Sequence, residues 1–271
     1  MRTKFLIMFV GAILVSAMVP LHAALVFQAE WEGGSYDADI NRDGGSSGWG
    51  MGPYSVVEKV NMVAKGVNGR MAIDATNADA HLRYYVGGEA YKVGTYIVLF
   101  KLNGWTLANS SPEYYLGGLN NYVANSGASV RNHGTYVRAH EGIGGSPYIQ
   151  PGGSILPNST WILMAYTYNS ASGGTSQLHL LDAFTGVGVS SAVASGYNNA
   201  FDLLTVGNAG APGGGIQPGG SIHGWVDGVR AYNTALSLAE IQAVRSAMIP
   251  EPATVTLFTI CGLITMLKRK R

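Results

Sequence analysis

The chain carries one well-marked helix start, and it comes directly after one long apolar strand. Ile222 to Tyr232 is apolar, aromatic and β-branched, with Gly224 and Gly228 inside it. A glycine within a strand marks a bulge or a close backbone approach. Ser237 stands as an N-cap, Glu240 three residues on completes a capping box, and Leu236 and Ile241 take the N′ and N4 positions of a hydrophobic staple. Ile241, Val244 and Met248 share one face of the helix expected over Ser237 to Met248, so that face must dock on something.

Upstream the pattern is short strands. Ala24 to Trp31 reads as the first, followed by Gly69 to Ala75, His81 to Val86, Tyr91 to Leu102, Tyr114 to Leu119, Thr135 to His140, Trp161 to Tyr168, Gln177 to Leu181 and Leu203 to Gly207. Gly, Pro, Asn or Ser clusters flank each one. Tyr96 to Phe100 is continuously apolar, which predicts a strand covered on both faces. Trp161 to Tyr168 and Gln177 to Leu181 read as a hairpin across Asn169 to Thr175. A heptapeptide, Ile-Gln-Pro-Gly-Gly-Ser-Ile, occurs at 149–155 and again at 216–222 with unlike flanks. Its Pro-Gly pair suits a type II turn ahead of a strand. Many short strands with almost no helix predict an all-β sandwich.

Composition agrees. Charged residues are 12% of the chain, against an ordinary share of about 25%. Gly, at 38 of 271, is about twice ordinary usage. The net charge of +1 supplies no field to collect nucleic acid, so no nucleic-acid partner is expected. The single cysteine, Cys261, rules out an intramolecular disulfide framework.

The closing stretch is similar to the last segment of the LamG-like jellyroll family, the laminin-G and concanavalin A-like β-sandwiches. Gly224, Val226, Asp227, Val229, Arg230, Tyr232, Asn233, Ala235, Leu236, Ser237, Glu240 and Ile241 fall on that family's closing pattern. Gly228 and Ala231 depart from it, standing where the family has Glu and Ile. The resemblance implies a concanavalin A-like jellyroll over residues 24–249, with one short C-terminal helix. It implies little about function, because this fold hosts lectins, hydrolases and structural modules.

Both ends of the chain read as addresses. Residues 1–23 form a signal peptide: Arg2 and Lys4 precede the apolar core Phe5 to Val19, and Leu21-His22-Ala23 offers a cleavage site. At the other end, Pro250-Glu251-Pro252 precedes an apolar segment, 253–267, and a basic end, 268–271. That segment is short of the roughly 20 residues that span a bilayer comfortably, and the basic end favours the cytoplasmic side. This tail, 250–271, resembles the PEP-CTERM sorting signal of Gram-negative bacteria. The resemblance implies a transmembrane sorting helix, an inner-membrane precursor, processing by an exosortase, and an extracellular or cell-surface product.

Candidate chemistry is sparse. Asp39-Ile40-Asn41-Arg42-Asp43-Gly44, with Asp37 just before it, matches the first half of an EF-hand-type calcium loop. Gly50 stands where the bidentate Glu belongs, so Asp37, Asp39, Asn41 and Asp43 are equally a solvated turn. Calcium is the one cofactor the sequence raises. Glu30 and Glu32 have the alternate spacing of a glycosidase pair, yet read as two exposed acids at a strand end. Gly44 to Gly48 fits Gly-x-Ser-x-Gly without the strand and helix of a nucleophile elbow. His133, His140 and Glu141 lack zinc-site spacing. The chain therefore reads as non-catalytic. Asp227, in an apolar strand, needs hydrogen bonds or a cation, and Arg230 is the nearest cation in sequence. The two read as structural. Trp49, Trp105, Tyr114, Tyr115 and Tyr122 lie in or beside Asn- and Ser-rich loops and form a candidate carbohydrate platform. Each is equally a core aromatic with its polar end at the rim. The expected ligand is a polysaccharide or another envelope component; the alternatives are a ligand-free matrix role and, behind it, a polysaccharide hydrolase or lyase of the same fold.

Overall fold

Alternate residues of one strand feed two separate cores. The strand Val93–Leu102 is buried along almost its whole length. Its Tyr96, Val98 and Phe100 enter one hydrophobic cluster, while Ile97 and Leu99 enter another. The continuous apolar run at 96–100 thus has the cause expected of it: cover on both faces.

The computed structural model describes residues 23–36, 39–41, 56–77, 80–85, 92–103, 114–121, 126–133, 136–140, 148–149, 160–170, 174–195, 203–207 and 222–249. In chain order the strands begin β1 (Leu25–Ala29), β2 (Ile40–Asn41), β3 (Val56–Glu58), β4 (Asn61–Val63), β5 (Ala72–Ala75), β6 (His81–Tyr85), β7 (Val93–Leu102) and β8 (Tyr114–Asn121). They continue with β9 (Ser126–His133), β10 (Tyr136–His140), β11 (Tyr148–Ile149), β12 (Trp161–Asn169), β13 (Thr175–Asp182) and β14 (Gly188–Ser190). β15 (Ala194–Ser195), β16 (Leu203–Val206), β17 (Gly224–Tyr232) and the helix α1 (Leu238–Met248) complete the order. A short 3-10 turn, Val67–Gly69, separates β4 from β5.

The strands form two sheets. The larger runs β14-β13-β12-β7-β17-β1-β2, with β5 attached to β17, β4 to β5, and β15 to β13; the smaller runs β11-β10-β9-β8-β16-β6-β3. Phe27, Tyr96, Phe100, Met164 and Tyr166 of the larger sheet meet Leu82, Tyr84, Leu204 and Val206 of the smaller in the inner core. The Phe27 and Tyr84 rings lie 4.9 Å apart at 60°, a tilted contact that aromatic quadrupoles favour. Trp31 Nε1 donates to Tyr84 Oη at 3.0 Å, so this buried indole nitrogen is satisfied. The result is an all-β sandwich with one short helix.

α1 covers the outer face of the larger sheet. Ser237 is its N-cap, with both bonds of the capping box made. Ile241, Val244 and Met248 lie buried against Leu99 and Leu163 in the outer core, and the staple residue Leu236 joins them. Burying a side chain of this size stabilises by roughly 1.5–3 kcal/mol. The packed stripe, more than intrinsic propensity, therefore holds an eleven-residue helix.

β17 is the hub. It pairs with β7 along its length, with β5 through Gly224–Val226, and with β1 through Val229–Tyr232. Val226 and Val229, three apart, both point into the inner core. Strict alternation forbids that. A register shift between Val226 and Gly228 resolves it, a bulge that gives the outer side two consecutive residues, Asp227 and Gly228. At Gly224 a Cβ would lie 2.2 Å from the Lys101 carbonyl oxygen, the close approach that admits only glycine.

Most expected strands form within a residue or two. Gly69 to Ala75 shortens to β5, because 67–69 is the 3-10 turn. β9 is an addition that its polar sequence did not announce. The expected signal peptide, up to His22, and the sorting tail from Pro250 lie outside the described residues. Among the described residues no helix is long and apolar enough to cross a membrane.

Candidate functional site

The bulge in β17 builds a charged clasp on the outer face. Asp227 is fully buried. Its Oδ2 accepts the Val67 N–H, and its Oδ1 pairs with the Arg70 guanidinium. The expected partner Arg230 points elsewhere: its Nε donates to Glu30 Oε1 at 3.1 Å. Sequence proximity misleads here because Arg230 is taken up by Glu30, whereas the turn before β5 brings Arg70 onto the carboxylate. Arg70 also lies 3.9 Å from Glu30 Oε2 and 3.6 Å from Glu32 Oε1. Glu30 is therefore no exposed acid. Its side chain is 16% exposed and held between two guanidiniums. Burial raises the Asp227 pKa to about 6, against the lowering pull of Arg70 and the Val67 N–H.

The clasp fixes the loop 64–71. Gly66 N–H donates to the Arg70 carbonyl at 2.8 Å, closing the loop on itself. A Cβ at Gly66 would lie 2.7 Å from Asp227 Oδ2 and 2.8 Å from the Arg70 oxygen, so only glycine fits between clasp and loop. Next to Gly66, Lys65 is carried to the ring of Trp225, with its Nζ 4.8 Å from the ring centroid. The Lys101 Nζ reaches the same ring at 5.8 Å.

Trp225 is half-buried against the outer core. Register places it between Lys101 of β7 and Asp74 of β5, and Lys101 in turn faces Trp161 of β12. Asp74 is committed to its own turn: its Oδ1 accepts the Thr76 N–H at 3.0 Å and the Thr76 hydroxyl at 2.6 Å. Among the described residues neither Lys65 nor Lys101 is in an ion pair, and the buried Trp225 Nε1 has no hydrogen-bond partner. A flat ring beside two ammonium groups can stack on a sugar and attract a negative charge. Sequence reasoning passed over this patch, because Trp225 stands in a stretch that reads as structural and Lys65 lies far from it in the chain.

The other candidates fall as follows. Asp39 is exposed, and its Oδ2 accepts the Glu30 N–H at 2.8 Å. Asn41 ends β2. Asp37 and Asp43 lie outside the described residues, as do Trp49, Trp105 and Tyr122. Tyr114 and Tyr115 open β8 in the smaller sheet, opposite Asn132 and Arg131 of β9. Pro250, Glu251 and Pro252 follow the last described residue, Ile249. Among the described residues no group of three or more acids, histidines or cysteines could hold a metal.

A histidine–serine contact occurs on the larger sheet, His179 Nδ1 to Ser190 Oγ at 2.6 Å. Burial lowers the His179 pKa to about 4, so the ring is neutral at pH 7. No carboxylate among the described residues orients the ring, so the contact lacks the third member of a nucleophilic triad.

No family model and no curated protein matches the chain. Solved structures do. The botulinum neurotoxin type G receptor binding domain superposes with a TM-score of 0.56 at 10% identity, over 82% of this chain and 51% of that one. The serotype D binding domain gives 0.58 at 11% identity, over 82% and 50%. The neurotoxin DC binding domain in complex with SialylT gives 0.52 at 11% identity, over 83% and 52%. The chain spans about half the length of these structures. At such identities the likeness is one of fold: this chain shares the β-sandwich of these binding domains.

Proposed function

We propose that the chain is a non-catalytic binding module, exported by a Gram-negative bacterium, whose sandwich takes a polysaccharide or another envelope component. The observation that carries this reading is the half-buried Trp225 on the outer sheet face, with Lys65 and Lys101 at its ring. Two things support it. The fold is shared with a neurotoxin receptor binding domain and with a neurotoxin binding domain in complex with SialylT. The acids that the spacing offered to hydrolysis, Glu30 and Glu32, are tied to arginines instead. The LamG-like closing pattern and the Pro-Glu-Pro tail add the finer parts: a LamG-like module in a precursor held at the inner membrane and processed by an exosortase. The test is retention of the purified full chain on immobilised polysaccharides, with release of reducing ends assayed in parallel. Retention without release, lost in Trp225→Ala, is the expected result. Released ends would make the chain an enzyme. Neither retention nor release would leave a ligand-free matrix role.

A further inference from the structure

The patch at Trp225 is built for one charge. Lys65 and Lys101 bring two ammonium groups to a single ring, at 4.8 and 5.8 Å. An exposed cation–π contact holds an ammonium group only weakly, so both charges stay available to an anion at the ring. A nearby carboxylate could neutralise them from within the protein. Asp74 is the acid in register with Trp225, but its Oδ1 serves the Thr76 turn. Among the described residues, Glu30, Glu32 and Asp227 of this face are occupied by Arg70 and Arg230, and Glu240 serves the helix cap. Among the described residues, then, three acids pair with arginines, Asp74 keeps its Thr76 turn, and none makes an ion pair with Lys65 or Lys101.

The arrangement is also held in advance. Lys65 sits on a loop fixed by the buried Asp227 through Val67 and Arg70, and Lys101 lies in the sheet between two tryptophan-bearing strands. A site that is ordered before binding spends less of its contact energy on ordering.

From this geometry we propose that Lys65, Trp225 and Lys101 form a subsite for an acidic sugar, a residue bearing a carboxylate or a sulfate. The sugar lies against the indole and its anion sits by the two ammonium groups. This rests on the binding reading above and narrows it to anionic polysaccharide, which a net charge of +1 alone does not suggest.

The test compares retention of the purified full chain on three immobilised probes: polygalacturonate, dextran sulfate and unmodified dextran. The expected result is retention on one or both acidic probes, weakened by salt, and little on dextran; the two acidic arms tell carboxylate from sulfate. Removing one exposed ion pair weakens binding by about fivefold. Lys65→Gln with Lys101→Gln should then lose roughly twentyfold in affinity for the acidic probe. The control is Lys92→Gln, an exposed lysine just ahead of β7 that should change nothing. Equal retention on dextran, undiminished in the double variant, would overturn the acidic-sugar subsite while leaving a binding module standing. Equal losses from Lys92→Gln would reduce the effect to general charge and overturn it too. Failure to bind any probe would count against both readings. A urea midpoint unchanged in the double variant separates lost binding from lost fold.

Discussion

Replacing Asp227 by Asn asks whether burial or the clasp decides the state of that carboxyl. Asp227 is fully buried, and burial raises its pKa from an ordinary 3.8 to about 6 although Arg70 and the Val67 N–H both favour the ion. Between those values the folded chain holds a proton that the unfolded chain has released. Stability then falls as pH rises, by about 1.4 kcal/mol per pH unit. Over about two units this amounts to ~3 kcal/mol, fully present below the unfolded value and gone above the folded one. Asp227→Asn keeps an oxygen for the Val67 N–H and carries no proton to lose. The prediction concerns the difference between the two chains: on acidification from pH 7 to pH 4, wild type gains on Asp227→Asn by up to ~3 kcal/mol. Titrations common to both chains, such as that of His179, cancel. Urea unfolding of both proteins across this range measures it. A difference constant with pH, or one in which wild type loses ground in acid, would refute the reasoning. The second result would mean that Arg70 and Val67 outweigh desolvation.

Two further outcomes follow from the same geometry and from the tail. Gly66→Ala sets a Cβ 2.7 Å from Asp227 Oδ2 and 2.8 Å from a backbone oxygen, and should cost about 1–3 kcal/mol in urea unfolding; a change within ~0.5 kcal/mol would show that the loop is free to shift. Pro250→Ala together with Glu251→Ala should leave the tail uncleaved in the native host, read as precursor size on a gel, and normal processing would sink the sorting assignment.

Local signals were legible and distant pairings were not. The capping box, the staple and the buried stripe of α1 each depend on residues within a few positions, and all are present. The apolar run in β7 announced cover on both faces because no half-exposed strand tolerates it. By contrast β9, Ser-Gly-Ala-Ser-Val-Arg-Asn-His, has no alternation to read and takes its conformation from β8 and β10 on either side. The cation for Asp227 lies 157 residues away in sequence, so nearness pointed to Arg230 instead. The subsite at Trp225 is of the same kind: three residues from three elements, joined only by register and by a loop that a bulged strand holds in place.

The position of β17 also sets an order on folding. It is the last strand among the described residues, yet it lies between β7 and β1, and its Arg230 meets Glu30 across 200 residues. Until β17 arrives, β1 lacks its main neighbour and the two halves of the larger sheet have no seam. A ribosome or a translocation channel delivers the chain from its N-terminus, so the larger sheet cannot knit together as it emerges. Non-local closure of this sort is slow. The seam closes only when this late strand comes through.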